Sequence, residues 1–330
     1  MNPSSLNSPP SQLARLQQAG VLVSLLVGLG GVVWLWPQGP GLALLGLLLP
    51  WGAYAGVLAL ELLALPWVHG KDPTPRPRAR DLLAAWWQES VAAPAVFAWR
   101  QPFVWQRWPD TAPGIPSGTA PTQAVGAVVF IHGFVCNRGF WHPWMRALRQ
   151  RGVPYVSVNL EPVFGPIDDA VSLIEQAVRR AQALSPLPPQ LVCHSMGGLA
   201  ARAWLAADAA NAQRVQRVLT IGTPHHGTWL ARFSHLPNGR QMRPYSPWLQ
   251  ALAATEARQR PQQAYGGFVC WYSNADNVVF PPSTATLPGA DNRLVPGTAH
   301  VALAFHARVM REGLALLAPT KALRYPCQPS

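Results

Sequence analysis

Two uncharged apolar runs stand near the N-terminus of this 330-residue chain, at 21–36 and 41–60. Only a four-residue segment, PQGP, separates them. Because about 20 apolar residues suffice to cross a hydrocarbon core, the pattern predicts a helical hairpin in a membrane over 20–68. Whether the first, shorter run crosses completely stays open. Tryptophans suited to the membrane surface are Trp34, Trp36, Trp51 and Trp67.

The segments on either side of this hairpin are polar or rich in proline. Residues 1–19 carry Ser, Pro and Gln and are predicted to be a disordered tail. The many prolines of 69–122 predict a linker, so that 1–70 would be dispensable for folding. Within it, 81–99 can form an amphipathic helix that either lies on the membrane or caps the following core. Residues 319–330 are predicted to be a C-terminal tail.

Charge near the second run suggests an orientation for the hairpin. Basic residues on the cytoplasmic side are the usual sign, which predicts that the body of the protein faces the cytoplasm, on the inner membrane of a bacterium. A cleaved signal peptide is the alternative, and the sequence has no clear cleavage site of that kind. Glu61 is interpreted as a boundary residue rather than a functional carboxylate within the membrane. The basic residues are Lys71, Arg76, Arg78 and Arg80.

From residue 124 the pattern changes to short β-branched runs that alternate with segments of helical length. Such alternation predicts an α/β fold with a mostly parallel sheet and helices on both faces, over 123–318. One long insertion, 228–262, interrupts it and occupies the place of a lid or cap over a site. The predicted strands are 127–134, 154–160, 190–195, 217–223, 268–274 and 292–297, and the predicted helices are 139–151, 167–184, 197–210 and 301–317.

Composition narrows the classes of partner. The formal net charge is +12 with only 12% charged residues, and there are 15 tryptophans. The basic residues are scattered and form no recognisable nucleic-acid module, so contact with a membrane is favoured over contact with nucleic acid. Four cysteines lack the spacing of a metal site, although Cys270 and Cys327 remain a possible pair in an oxidising compartment.

The segment LVCHSMGGLAARAWL, 191–205, places Ser195 between a buried strand and an amphipathic helix. A sharp strand-to-helix turn of this kind exposes a serine hydroxyl, and the helix N-terminus favours a developing negative charge beside it. In the usual pattern G-x-S-x-G, Cys193 replaces the first glycine. Ser195 is therefore the predicted nucleophile, and an ordinary serine in a strand-to-helix turn is the alternative.

The segment FIHGF, at the end of the first clear strand, predicts the second half of an oxyanion hole. Its donors are expected to be the backbone amides of Phe134 and Met196. His132 is better explained as a hydrogen-bonded turn residue, although it also stands near the expected substrate site. Nearby aromatic residues line an apolar acyl pocket, fill the core, or do both at once; they are Phe134, Phe140, Trp141 and Trp144.

Strand order suggests the acid and the base. Asp276 follows the strand FVCWYSN and His300 follows the last strand, in the order serine, acid, histidine. Asp291 is the competing acid, and it precedes the final strand. The rival histidines are interpreted as residues that shape the turn and the substrate pocket; they are His194, His225 and His226.

With these residues in place, the chain resembles bacterial triacylglycerol lipases and esterases of the α/β-hydrolase superfamily. The resemblance covers about 124–318 and is carried by VVFIHGF, LVCHSMGGLAARAWL, TIGTPHHGT, SNADNVV and GTAHVAL. It implies a serine hydrolase that cleaves esters, with lipid acyl esters as the expected substrate and no metal or organic cofactor. The N-terminal hairpin lies outside the resemblance and predicts only that this hydrolase is anchored in a membrane. His132, Trp141, His194 and His225 are the candidate substrate-binding residues.

Alternative functions stay open. The same triad serves thioesterases, acyltransferases, amidases and esterases of small substrates. A non-catalytic scaffold on a membrane anchor, or a transport component, is a different class of explanation. An intact set of Ser195, Asp276 and His300 argues against the scaffold, and two spans offer no midplane transport site. The oligomeric state is not indicated by the sequence.

Overall fold

The computed structural model describes residues 11–113 and 125–317. Six strands form one sheet in the order β2-β1-β3-β4-β5-β6, and every neighbouring pair is parallel. All six expected strands are present, which confirms the prediction of a parallel α/β fold. The strands are β1 Val128–Ile131, β2 Tyr155–Ser157, β3 Gln190–His194, β4 Arg217–Ile221, β5 Phe268–Tyr272 and β6 Asp291–Leu294.

Helices precede the sheet and cover both of its faces. Before the sheet come α1 Gln12–Leu35, α2 Pro40–Leu45, α3 Leu49–Val68, α4 Ala79–Pro94, a π-helical segment Ala95–Arg100 and the single turn α5 Gln101–Phe103. Between and after the strands come α6 His142–Gln150, α7 Ala170–Gln182, α8 Met196–Ala207, α9 Pro237–Gln241, α10 Pro247–Gln259, α11 His300–Leu303 and α12 Ala307–Leu316.

The core lies on both faces of the sheet because successive strand residues point to opposite sides. In β1, Val129 and Ile131 pack with α7 and α8, whereas Val128 and Phe130 pack with α6, α11 and α12. All four side chains are fully buried. A strand buried on both faces reads as a continuous apolar run, which explains why these strands were visible in the sequence.

The N-terminal tail is shorter than expected. Helix α1 begins at Gln12, and Ser11 caps it by accepting a hydrogen bond from the Ala14 amide. The expectation of disorder is therefore wrong for 11–19, while 1–10 lie outside the described residues. The start of α1 contacts the hydrolase-like body, because the Ser11 hydroxyl and the Gln12 amide both donate to Glu161 Oε1, at 3.0 and 3.1 Å.

Two helical stretches are long and apolar enough to cross a membrane, Gln12–Gln38 and Pro40–Val68, with mean hydropathies of 2.1 and 1.8. They pack closely where glycines meet. A Cβ on Gly46 would lie 2.3 Å from the Val32 amide nitrogen, and one on Gly31 would lie 3.0 Å from the Gly46 Cα. Small residues let two helix backbones approach in this way. The two stretches form a helical hairpin.

The expected linker is in large part a packed structure. Helix α4 lies against α3, where Trp86 Nε1 donates to the Ala55 carbonyl at 2.7 Å and Trp51 Nε1 donates to the Ser90 carbonyl at 3.1 Å. Three of the prolines that suggested a linker, Pro73, Pro75 and Pro77, stand directly before α4. Pro94 stands where the α-helix passes into the π segment. Residues 114–122 lie outside the described part.

Helix α3 also packs on the loops that follow β5 and β6. Its buried leucines form one apolar cluster with Ala275, Phe280 and Ala299. Asp276 and His300 are the immediate neighbours of two of these residues. The expectation that 1–70 is dispensable for folding therefore conflicts with the packing, since removing α3 would expose this cluster. The leucines are Leu58, Leu62 and Leu65.

Candidate active site

Ser195 stands at the turn between β3 and α8 in a strained backbone conformation, with φ 52° and ψ −129°. Non-glycine residues rarely adopt positive φ, and such strain is concentrated at functional sites. The turn is fixed by the sheet, because the Ser195 amide donates to the Ile221 carbonyl of β4 at 2.9 Å. This geometry is that of a nucleophile elbow.

Two glycines make the elbow sterically possible. A Cβ on Gly197 would lie 2.5 Å from the carbonyl oxygens of both Ile131 and His132, and one on Gly198 would lie 2.2 Å from the Thr223 hydroxyl. Cys193, which takes the place of the first glycine in the usual motif, is completely buried inside β3. The departure from the motif therefore affects a core side chain and leaves the turn itself intact.

Asp276 and His300 are brought together. Asp276 Oδ2 lies 2.9 Å from His300 Nδ1, and its Oδ1 accepts the amides of Val278 and Val279, both at 2.8 Å. The carboxylate is thus oriented by its own loop. Gly222 has a positive φ of 58°, and a Cβ there would lie 3.1 Å from Asp276 Oδ2 and 3.2 Å from His300 Cε1. Glycine at this position leaves room for the pair.

Ser195 lies at the same edge of the sheet as this pair. Its amide is bonded to Ile221, the residue before Gly222, and its side chain is 8% exposed. Within the described residues the Ser195 hydroxyl forms no hydrogen bond with His300. Such contacts are often long before a substrate binds, so the arrangement remains compatible with a nucleophile and its base. The rival acid is elsewhere, since the exposed carboxylate of Asp291 pairs with Arg293 at 2.6 Å.

Two free backbone amides belong to the residues that directly follow Gly133 and Ser195. Within the described residues, neither the Phe134 amide nor the Met196 amide donates a hydrogen bond to the protein. Gly133 permits the close approach of their loops, because a Cβ there would lie only 2.7 Å from the Ser195 Cβ. Backbone amides held in this way are suited to a developing oxyanion.

His132 holds the loop before Phe134 rather than pointing into a pocket. Its Nδ1 lies 2.9 Å from the Gly133 carbonyl, and its Nε2 accepts the Leu160 amide at 3.0 Å. Burial lowers the pKa of His132 to about 4, although the hydrogen bond to Gly133 acts in the opposite direction. The low pKa keeps the ring neutral. With both nitrogens engaged, the expected substrate-binding role of His132 is not supported by its position.

Trp141 is likewise placed in the core. It is completely buried and stacks on Phe130 with ring centroids 4.9 Å apart. The ring therefore fills the core beside β1, and its expected contact with substrate stays a prediction.

His194 and His225 lie on different sides of the site. The His194 ring stacks on Phe140 at 4.3 Å and lies 4.6 Å from the His300 ring, so it supports the candidate base. His225 Nε2 lies 3.1 Å from the Thr220 hydroxyl. Burial holds the pKa of both imidazoles well below the usual value, with neighbouring positive charge adding to the effect. Both rings are therefore neutral.

His225 also lines a cavity of about 840 Å³ between the end of α3 and the insertion. Ser195 and His300 are not among its lining residues. Its walls combine cationic and aromatic side chains, and the most buried cation, Arg202, is fully engaged by Glu256, Tyr265 and the His225 carbonyl. The cavity is thus separate from the edge of the sheet at which Ser195 and His300 lie.

The candidate base has an environment that stabilises its protonated form. Burial lowers the pKa of His300, but the charge and hydrogen bond of Asp276, together with the charge of Glu89, outweigh burial and raise it above the usual value. Glu89 itself is 2% exposed, and burial raises its pKa to about 7 even though the Val301 and Ala302 amides bond to it. An imidazole that accepts a proton readily beside a carboxylate suits general-base catalysis.

Sequence reasoning missed Glu89 and Asn277, and it interpreted Glu61, whose Oε2 accepts a hydrogen bond from Asn277 Nδ2 at 2.9 Å, only as a boundary residue. Asn277 follows the candidate acid directly, and its Oδ1 accepts the His300 amide at 3.2 Å. Glu89 is one of only two acidic residues in the otherwise apolar segment DLLAAWWQESVAAP, which was the available signal. Among the described residues, no group of three or more His, Cys, Asp or Glu side chains is arranged to hold a metal ion.

Comparisons with known proteins agree with this architecture. A family model for a "PGAP1-like alpha/beta domain" matches residues 165–236, which include Ser195. The mature form of the lipase BlEst2 from Bacillus licheniformis is similar with a TM-score of 0.52 and 18% identity, over 62% of this chain and 100% of that chain. The propeptide form of BlEst2 is similar with a TM-score of 0.52 and 18% identity, over 63% of this chain and 55% of that chain. None of the curated proteins matches. The chain has the fold of the α/β-hydrolase superfamily, preceded by two apolar helices.

Proposed function

We propose that this protein is a membrane-anchored serine hydrolase that cleaves carboxylic esters. The observation that carries the proposal is the 2.9 Å contact between His300 Nδ1 and Asp276 Oδ2 at the same sheet edge as the strained elbow of Ser195. Serine, acid and histidine follow one another along the chain in the order typical of this fold. A nucleophile, a base and a residue that orients the base are the parts that acyl transfer requires.

In the proposed mechanism, His300 Nε2 removes the proton of the Ser195 hydroxyl as its oxygen attacks the ester carbonyl carbon. The amides of Phe134 and Met196 donate to the resulting oxyanion. His300 then gives its proton to the leaving alcohol oxygen, and the ester C–O bond breaks. Water, deprotonated by His300, attacks the acyl-enzyme and releases the carboxylic acid. Asp276 holds the imidazole in one tautomer throughout.

The proposed substrate class is a lipid acyl ester presented at a membrane. The apolar hairpin keeps the site near a bilayer, and the first turns of α1 touch the loop of the oxyanion amides, where Gln17 Nε2 lies 3.4 Å from the Val135 carbonyl. BlEst2 is described as a lipase, which agrees with this choice. We further propose that the catalytic body faces the cytoplasm, as the basic residues after α3 indicate.

A fluorophosphonate probe tests the proposal. Such probes phosphonylate a serine activated by a base, so the detergent-solubilised full chain should be labelled, and the Ser195→Ala variant should not. Ester hydrolysis by the variant should fall below about one thousandth of wild type, as removal of a triad nucleophile usually costs at least this much. An unlabelled wild-type protein with no activity on esters or acyl-thioesters would contradict the proposal and favour a scaffold. The ratio of p-nitrophenyl ester to acyl-thioester hydrolysis distinguishes an esterase from a thioesterase.

A further inference from the structure

The candidate base begins a helical turn whose first three amides are all held by side chains. His300 is the first residue of α11, and its amide donates to Asn277 Oδ1 at 3.2 Å. The next two amides donate to one carboxylate, Val301 to Glu89 Oε1 at 2.9 Å and Ala302 to Glu89 Oε2 at 2.8 Å. The amides in the first turn of a helix lack partners within the helix, so these contacts fix the backbone that carries His300.

Both acceptors are connected to the helices that precede the sheet. Asn277 Nδ2 donates to Glu61 Oε2 of α3 at 2.9 Å. Glu89 belongs to α4, which α3 holds through the hydrogen bonds of Trp51 and Trp86. The two hydrogen bonds that Glu89 accepts join residues more than 200 positions apart in the sequence. The backbone of the candidate base is thus held from the N-terminal helices and not only from the sheet.

We propose that Glu89 and Glu61 are positioning residues for His300, so that the catalytic base is in place only when α3 and α4 are docked. This inference rests on the proposed function, in which His300 is the base. Glu89 binds the two amides directly, and Glu61 orients the Asn277 side chain, which binds the third. The hairpin then has a second role besides anchoring, because its docking completes the catalytic site.

A carboxylate at position 89 can become an anionic acceptor. Burial raises the pKa of Glu89 to about 7, so the charge is present above this pH. An anionic acceptor makes stronger hydrogen bonds than a neutral one, and it complements the positive end of a helical turn. Leaving two buried amides without an acceptor would cost more than the bonds themselves contribute. A displacement of the base by about 1 Å can lower the rate about 100-fold. Loss of the acceptor should therefore be visible in catalysis.

Several charged or titratable groups surround this pair. Asp276, in the loop after β5, has its Oδ2 2.9 Å from His300 Nδ1. The ring of His194, the last residue of β3, lies 4.6 Å from the His300 ring between centroids. The Tyr54 hydroxyl of α3 lies 3.5 Å from the Glu89 carbonyl. Among these groups, Glu89 and Asp276 both raise the pKa of His300. Removing the charge of Glu89 should lower that pKa, and His300 should remain an available base at more acidic pH.

The test compares Glu89→Gln, Glu89→Ala and Glu61→Leu in the full chain in detergent, with Asp81→Asn as the matched control. Asp81 lies on the same helix and caps it by accepting the Arg78 amide at 2.9 Å. Its backbone lies beside Gly297, but among the described residues its carboxylate accepts no amide of α11. Each variant is assayed for ester hydrolysis as kcat and KM from pH 5 to 9, for the rate of fluorophosphonate labelling and for thermal unfolding.

We expect Glu89→Ala to lower kcat about 100-fold with little change in KM, as misplacement of a base requires. Glu89→Gln keeps an acceptor oxygen, so it should recover most of this loss and move the acid limb of the pH profile to lower pH. Glu61→Leu should slow labelling, and Asp81→Asn should not.

Unchanged kcat and an unchanged pH profile in folded Glu89 variants would overturn the inference, even if their unfolding temperature fell. That outcome differs from failure of the proposed function, in which the wild-type protein is not labelled at all.

Discussion

Arg202 and Glu256 form an ion pair that is almost completely excluded from water, with 1% and 0% of their side chains exposed. Nε donates to Oε1 at 2.9 Å, and a second guanidinium nitrogen donates to Oε2 at 2.6 Å. Arg202 stands on α8, the helix that follows Ser195, and Glu256 stands on α10 of the insertion. The pair therefore attaches the insertion to the helix of the candidate nucleophile.

Breaking this pair should destabilise the protein. In Glu256→Ala, Arg202 keeps its charge but loses the carboxylate, and an uncompensated buried charge costs about 3–5 kcal/mol. The free energy of unfolding, measured by denaturant titration in detergent, should fall by this amount. The double variant Arg202→Met, Glu256→Met removes both charges and should recover much of the loss. Equal stability of Glu256→Ala and wild type would contradict the buried pairing.

Truncation separates anchoring from catalysis. Deleting 1–70 removes α3 and exposes the cluster of Ala275, Phe280 and Ala299, so we expect an aggregated or inactive product. Replacing only 21–48 with a Gly/Ser linker keeps the docked start of α1 and all of α3. That variant should retain ester hydrolysis while sedimenting with vesicles less completely than wild type, because the first of the two apolar stretches is removed. A soluble and fully active 71–330 fragment would show that the N-terminal helices do not support the site.

The strands of the sheet could be predicted from the sequence, whereas the packing of the N-terminal helices could not. The strands and the positions of Ser195, Asp276 and His300 were predictable because each rests on a local pattern, a buried apolar run followed by a turn. The packing of α4 was not, since its decisive contact joins Glu89 to amides 212 and 213 positions away. Prolines before α4 suggested a linker, although they only mark the extended segment that leads into it.

The start of α1 and the position of Trp141 were also hard to predict from the sequence. The start of α1 did carry a local signal, because Ser11 precedes Gln12 and serine is a favoured N-cap, but the polar composition of 1–19 outweighed it. For Trp141 no local pattern distinguishes a pocket from a core, since an aromatic residue after a strand can serve in either. Only the direction of the side chain, against Phe130, decides between them.

The acid assignment is tested by two isosteric changes. Asp276→Asn should lower kcat by about 10⁴-fold, because an amide in place of the carboxylate favours the wrong tautomer of the histidine and leaves its charged form unsupported. Asp291→Asn is the matched control, because Asp291 is half exposed and pairs only with Arg293 among the described residues. Steady-state ester hydrolysis measures both. A larger loss in Asp291→Asn would move the assignment.

The pH dependence follows from the raised pKa of His300. Attack by Ser195 needs the neutral imidazole, so kcat/KM should increase with pH and reach half of its plateau above the usual histidine value of about 6.5. Below this midpoint His300 is protonated and cannot accept the serine proton. Rates with a soluble p-nitrophenyl ester from pH 5 to 9 give the midpoint. A midpoint below 6.5 would show that burial dominates over Asp276.

The insertion 228–262 has an anchored part and an exposed part. Its helix α10 is held by the Glu256 pair and by Trp248, whose Nε1 donates to Asp168 Oδ2 at 2.9 Å. Before α10, by contrast, Phe233 is 65% exposed and Tyr245 is 84% exposed. Large exposed apolar side chains beside an apolar hairpin are suited to contact with lipid.

We therefore expect these two aromatic residues, rather than a movement of the whole insertion, to bring the site to a membrane. The variant Phe233→Ser, Tyr245→Ser should hydrolyse esters embedded in vesicles more slowly than wild type and dissolved short-chain esters equally fast. Leu187→Ser is the control, because Leu187 is 40% exposed but precedes β3, at the edge of the sheet opposite to Ser195. Rates measured through the concentration at which the substrate aggregates should rise for wild type and less for the double variant. Identical curves for all three proteins would exclude a role for these residues at the lipid surface.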